Sequence, residues 1–424
     1  MNKLFDFIEK SKTAYHCIGE VEKQLQDAGF VRLYENVVWD EVKSQGAYYV
    51  IRNDASMIAF TMPKEKPVNF HIVAAHSDSP AWKIKESPEL SVDGAYVKLN
   101  VEKYGGMILS TWLDRVLGIA GRVVVKENEK FVSKLVDLGP DMCVIPNVSV
   151  HFNREINKGY EYNAQTDMLP LYSADCKDKV AEKIAKEIGI AKEEILGSDL
   201  YLYQGQRGQV FGNNKEFVLA PRLDDLMCVY GGLQALLQIK KEKAYTTGQV
   251  NMLAIFHNEE VGSRTIQGAD SDFLKHILQK IGATIGCNDV SDLYSDSFVL
   301  SADNAHGLHP NHPEKSDLTN KPVLNGGVVL KFHGNAQYMT DAYSAAVVRD
   351  LAKQAEVKLQ DFANRSDIAG GSTLGNILVS QVSIPGADIG LAQLAMHSAM
   401  ETAGAHDMTD LIKLLCRFYA PLSS

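Results

Sequence analysis

Four short apolar runs constrain this chain more than any other feature: Phe70–Ala75, Val250–Phe256, Phe298–Ala302 and Val328–Phe332. Each is rich in β-branched or aromatic residues and has the length of a buried strand rather than of a helix. Helical patterns lie between or after them, at Tyr343–Gln354 and Leu411–Tyr419. Asp224 opens another, with Leu226, Val229, Tyr230, Leu233 and Leu237 on one face. Runs of this kind alternating with helices predict an α/β fold.

The 424 residues suffice for two or three domains. Near the start, Tyr15, Ile18, Val21 and Leu25 recur at helical spacing, and Gly29 is a stop signal. Ala47–Arg52 and Met57–Met62 flank the turn residues 53–56, which predicts a hairpin. From about Leu90 to Gly212 the texture changes to short alternating strands, such as Arg122–Lys126 and Phe131–Leu138. One surface helix, roughly Lys177–Ile188, follows Asp175 as an N-cap candidate. The expectation is one α/β domain made of residues 1–89 and 213–424, interrupted by a β-rich domain at 90–212.

A net charge of −10 argues against nucleic acid or an anionic membrane as partner. No apolar stretch reaches spanning length. Cys17, Cys143, Cys176, Cys228, Cys287 and Cys416 show no short paired spacing, so reduced thiols and a cytoplasmic location are expected.

The polar residues that follow the apolar runs carry the chemistry. Phe70–Ala75 leads into His76-Ser77-Asp78-Ser79-Pro80, and Val250–Phe256 into His257-Asn258-Glu259-Glu260. Asp303 follows Phe298–Ala302, Asp224 stands at a helix start, and His397 lies in Ala-Met-His-Ser. Ligand sites of open α/β sheets sit outside the carboxyl ends of strands, so these distant residues can converge. Taken singly, each has an ordinary reading. Asp224 or Asp225 can cap a helix, Asp303 can serve a turn, and Glu259 and Glu260 can be two solvated charges. Adjacent glutamates do repel unless a cation holds them.

Seven strings in order decide between these readings by resemblance. They are His-Ser-Asp-Ser-Pro at 76–80, Tyr104-Gly105-Gly106, Val144-Ile145-Pro146-Asn147, Arg222-Leu223-Asp224, Asn258-Glu259-Glu260-Val261-Gly262-Ser263, residues 301–307 (Ser-Ala-Asp-Asn-Ala-His-Gly) and Ala395-Met396-His397-Ser398. Nearly end to end, the chain resembles the M18 aminopeptidases, the aspartyl aminopeptidase family. The resemblance implies a zinc-peptidase type of catalytic domain, with a mixed central sheet flanked by helices, and a dimerisation role for the inserted domain. It implies two divalent metal ions: His76, Asp224 and Asp303 on one, Asp224, Glu260 and His397 on the other, with Glu259 as general base. Asp78 would fix the His76 ring. Three carboxylates and two imidazoles suit Zn²⁺, with Co²⁺ or Mn²⁺ as substitutes. The implied activity is hydrolysis of N-terminal residues, preferentially Asp or Glu, from peptides.

The same resemblance extends to substrate and assembly. Lys331 matches a family lysine and would meet an acidic side chain; its ordinary reading is an edge-strand lysine. Gln337 stands where the family commonly has arginine, and Ala399-Met400 replace a common Ile-Arg pair. His306 and His309 would contact substrate, or else are plain loop histidines. Gly370-Gly371-Ser372-Thr373 either faces an anion or forms a capped turn. His151 would complete the site of a neighbouring subunit in a tetrahedral dodecamer built from dimers. Two enzymatic alternatives keep the metals: a neutral-residue aminopeptidase and an N-acyl amino-acid deacylase. The non-enzymatic alternative is a metal-stabilised assembly protein.

Overall fold

The protein is described from a computed structural model covering residues 1–175, 177–242 and 248–420. Cys176 lies outside the described residues. All four apolar runs are strands: Asn69–His76, Gln249–Phe256, Phe298–Ala302 and Val328–Phe332. They belong to one mixed sheet of 13 strands. Its middle is parallel: Gln249–Phe256 pairs with Asn69–His76, which pairs with Phe298–Ala302, which pairs with Gly386–Leu394. The hairpin Ala47–Arg52 and Ser56–Thr61 extends one side, antiparallel to Gln249–Phe256. On the other side Val328–Phe332 runs antiparallel to Gly386–Leu394.

The central strands read as continuous apolar runs because both faces are covered. Val73, Ala75, Leu253, Ile255, Leu300 and Ile389 point to one core, where they meet Leu226, Val229 and Leu233 of helix Leu223–Glu242 and Leu411 and Leu415 of helix Asp407–Tyr419. The alternate residues Phe70, Ile72, Ala74, Met252, Ala254 and Phe256 point to the other core. There they meet Leu274 and Ile277 of helix Phe273–Thr284 and Leu374 and Leu378 of helix Leu374–Gln381. Each fully buried Leu, Ile or Phe contributes roughly 1.5–3 kcal/mol.

A second sheet has seven strands between Ala81 and Gln204. Strand Gly197–Gln204 pairs with both Ala81–Val92 and Val116–Glu127, which closes six of them into a barrel. The barrel core holds Trp82, Leu99, Leu117, Ile119 and Leu202. Strand Ala81–Val92 spans the expected division at 89/90, and Gln209–Phe211 pairs within the central sheet. The barrel therefore leaves the central sheet directly after Pro80.

Helix Ala14–Asp27 ends before Gly29, whose φ of 78° suits glycine. The surface helix is shorter than expected, Val180–Ile188, with Lys179 at its N-cap position. Asp175 instead accepts the Lys177 N–H in a turn. No described helix is long and apolar enough to cross a membrane. The described cysteines are all unpaired.

Candidate metal centre

The parallel register brings three strand ends to one edge. His76 is aligned with Phe256, and Ser301 with Ala74, so His76, the 257–260 turn and Asp303 emerge together. Asp224 stands ahead of the regular part of helix Leu223–Glu242. Its carbonyl accepts the Ser79 hydroxyl at 2.7 Å, and its N–H donates to Glu401 Oε2 at 3.0 Å. His397 follows strand Gly386–Leu394 in a left-handed conformation, φ 66°.

Asp224 is the centre of the arrangement. Its Oδ1 lies 3.5 Å from His76 Nε2, and its Oδ2 lies 3.6 Å from His397 Nε2. His397 Nε2 is also 3.3 Å from Glu260 Oε2. Ligand atoms of His76, Asp224, Asp225 and Asp303 lie within 4.8 Å of one another, as do those of Asp224, Glu260 and His397. Asp78 sits behind them. Its carboxylate accepts the Glu259 and Glu260 N–H groups, both at 3.2 Å, and the Tyr104 hydroxyl at 2.6 Å. The His76 Nδ1 is 3.1 Å from the Asp78 carbonyl and 3.5 Å from its Oδ1. Asp78 thereby orients the imidazole and both glutamates.

The electrostatics call for a cation. Burial raises the Glu259 carboxyl to about 8, and the charges of Asp303, Asp78 and Asp224 add to the rise. Burial, followed by Asp224, pushes Glu260 well above the usual carboxylate range. Asp303 and Asp225 are also raised, chiefly by burial. The carboxylates outnumber the nearby cationic groups His76, His397 and Lys331. Asp224 Oδ1, Asp225 Oδ1 and Glu260 Oε1 are buried without any hydrogen-bond donor. Unpaired buried carboxylate oxygens are costly. A divalent ion satisfies them, and this nitrogen and oxygen donor set fits zinc. The Asp224 carboxylate turns toward His76 and His397 rather than toward the start of the helix.

Comparison with known proteins gives the geometry its lineage. The family described as Aminopeptidase I zinc metalloprotease (M18) matches residues 7–419. A probable M18 family aminopeptidase 2 from Clostridium novyi (strain NT) is 41% identical over 430 residues, covering 99% of this chain and 98% of that relative. One from Pseudomonas aeruginosa (strain UCBPP-PA14) is 39% identical over 427 residues, with 98% and 97% covered. The chain belongs to the M18 family. Among solved structures, a chain from the cryo-EM structure of the Ape4 and Nbr1 complex superposes with a TM-score of 0.93 at 31% identity. It covers 98% of this chain, which spans 84% of that one. The yeast (S. cerevisiae) mApe1 dodecamer gives a TM-score of 0.87 at 29% identity, with 99% and 95% covered. The M18 chain is therefore a metallo-aminopeptidase, a peptide hydrolase, which excludes the non-enzymatic alternative.

The other expected residues of this M18 aminopeptidase fall in three places. Lys331 is not an exposed edge lysine. It is 2% exposed, its Nζ is 3.7 Å from Asp303 Oδ2, and it lies 5.5 Å over the Tyr338 ring. His306 and His309 line a groove of about 420 Å³ that also takes in Gln393, Leu394 and Ala395, just ahead of His397. His151 is exposed in a loop of the barrel region, its Nδ1 3.2 Å from Ser149 Oγ. The 370–373 segment ends in Thr373, whose hydroxyl binds Asp388 at 2.5 Å.

Four residues that the sequence reading did not single out complete the centre. Asp225 Oδ2 accepts the His76 N–H at 3.1 Å. The Asn304 amide donates to Leu223 O at 2.9 Å and to Gln393 Oε1 at 2.8 Å, tying three segments together. His257 Nδ1 is 3.8 Å from Asp78 Oδ1. Glu401 accepts N–H groups from both Asp224 and His397. Asn304 lay within the string at 301–307, Asp225 beside Asp224 and His257 directly ahead of the string at 258–263, so adjacency was the available signal for those three. Glu401 acts through backbone groups, for which sequence carries no signal.

Proposed function

We propose that this enzyme removes N-terminal residues from peptides, Asp and Glu preferred, with two divalent metal ions, Zn²⁺ in the first instance. His76, Asp224 and Asp303 would hold one ion, and Asp224, Glu260 and His397 the other. The observation that carries this reading is Asp224, whose two oxygens turn toward different imidazoles at 3.5 and 3.6 Å. Bound divalent ions supply Lewis-acid polarisation of the scissile carbonyl and a more acidic water. Glu259, within ligand reach of His76 and Glu260 but assigned here to neither ion, takes the proton of the attacking water and returns it to the leaving amine. Asp78 keeps the His76 ring and the 259–260 turn in register for that transfer.

The acidic preference rests on Lys331. With Asp303 engaged as a metal ligand, the buried ammonium is left to meet a substrate carboxylate. His306 and His309, on the wall of the adjoining groove, contact the peptide. The assembly is a homo-oligomer, a tetrahedral dodecamer; the similar mApe1 chain was solved as a dodecamer. The 90–212 segment would pair subunits and carry His151 into a neighbour's site. Val148, Val150 and Phe152 beside it are 52%, 53% and 89% exposed, which favours cover by another subunit. Unpaired cysteines support a cytoplasmic location.

A panel of Asp-, Glu- and Leu-peptides with their N-acetylated forms tests the substrate. The free Asp and Glu peptides should be cleaved best and the blocked forms not at all. Preference for Leu points to the neutral-residue alternative, and turnover of acetylated substrates to the deacylase.

A further inference from the structure

Glu401 is 1% exposed and has no place among the metal ligands. It opens strand Glu401–Gly404, which pairs antiparallel with Phe217–Ala220, with Glu401 aligned on Ala220. One of these strands leads toward Asp224, and the other follows the turn that bears His397. The Glu401 carboxylate reaches both: Oε2 accepts the Asp224 N–H at 3.0 Å, and Oε1 accepts the His397 N–H at 2.7 Å.

The two ligands depend on it unequally. Asp224 is buried, and its carbonyl is held a second time by the Ser79 hydroxyl. The His397 side chain is 35% exposed, and its backbone is left-handed at φ 66°, a costly conformation for a residue with a Cβ. Its carbonyl accepts the Ile108 N–H at 3.1 Å, and its N–H relies on Glu401. A buried side chain whose two oxygens accept two backbone N–H groups holds both through bonds from one packed group. Here they fix the separation of His397 from Asp224.

We infer that Glu401 is a positioning residue that sets His397 against Asp224 and so governs the affinity of the ion held by Asp224, Glu260 and His397. The inference rests on the two-ion reading above. Glu401→Gln keeps the shape, but it turns an amide NH₂ toward one of the two N–H donors. Zinc titration of the full-length protein, starting from the metal-free form, reads the outcome without substrate. The second equivalent should weaken about 10- to 100-fold, and the first should stay within about threefold of wild type. The thermal midpoint of the metal-free protein should fall by only a few degrees, the cost of one backbone N–H left facing the amide NH₂. Two equivalents at wild-type affinity overturn the inference. So does parallel weakening of both equivalents with a metal-free midpoint lowered further, which marks a general structural role. If E401Q does not fold, Glu401→Asp gives the same readout, with the second equivalent again the one weakened. A wild type that takes up only one equivalent sinks the two-ion reading. Glu401 is then judged on whether E401Q weakens that one equivalent.

Discussion

His71 shows how one buried side chain ties stability to pH away from the metal centre. Its Nδ1–H donates to the Phe418 carbonyl at 2.8 Å, and the two rings stack at 4.6 Å. Burial pushes its pKa down from 6.5 to about 4. Between these values the unfolded chain binds the proton and the folded one does not. Stability therefore falls as pH drops from about 6.5 to about 4 and levels off below, a loss on the order of 3 kcal/mol from this residue. His16, lowered to about 4 by burial, adds in the same direction. Urea unfolding at pH 7 and pH 4.5 should show a smaller pH effect in His71→Gln than in wild type; equal effects contradict the argument. At this scale the sequence was legible where side chains act directly. His76, Asp224, Glu260 and His397 came together from strings hundreds of residues apart. Glu401 was invisible because its partners are backbone groups. Lys331 was left between a substrate contact and an edge lysine because sequence cannot show that Asp303 faces it.

Among the elements, the close approach of strand Gly386–Leu394 to the Asp303 turn is the least forgiving. A Cβ on Gly390 would stand 1.8 Å from the Asp303 carbonyl oxygen and 2.7 Å from its carbon. The neighbouring Ile389 carbonyl accepts the Asp303 N–H at 2.9 Å, so the turn cannot simply move away. Gly390→Ala should cost about 1–3 kcal/mol or more through overpacking and should weaken zinc uptake through Asp303. Thermal unfolding with and without zinc checks both effects, and a wild-type midpoint with wild-type zinc uptake contradicts them. The four apolar runs were legible because strands covered on both faces keep few polar positions, here His71, Asn251, Ser301 and Lys331; Gly386–Leu394, which completes the parallel middle, was missed because Gly386, Asp388, Gly390 and Gln393 interrupt its apolar pattern. The barrel's start was less so. Strand Ala81–Val92 buries Trp82 and Ile84, a period-two pattern that does not say which sheet a strand joins. Gln209–Phe211, a three-residue edge strand, is too short to show any period.

For the whole molecule, a single chain leaves His151 exposed, so the assembly reading makes activity depend on a neighbour. His151→Phe should lower kcat while zinc content and oligomer size stay as in wild type; unchanged kinetics contradict completion by a second subunit. Nothing in composition or charge pointed to such an assembly, because subunit contacts leave no periodic trace in the sequence. The proposed chemistry turns on a division of labour between adjacent glutamates, with Glu260 as ligand and Glu259 as base. Zinc content and turnover of an Asp-peptide, measured on one preparation of Glu259→Gln, test that division most directly. The account predicts two zinc ions per chain, as in wild type, with kcat lowered about 10²- to 10⁴-fold. A variant with full zinc and wild-type turnover would contradict it.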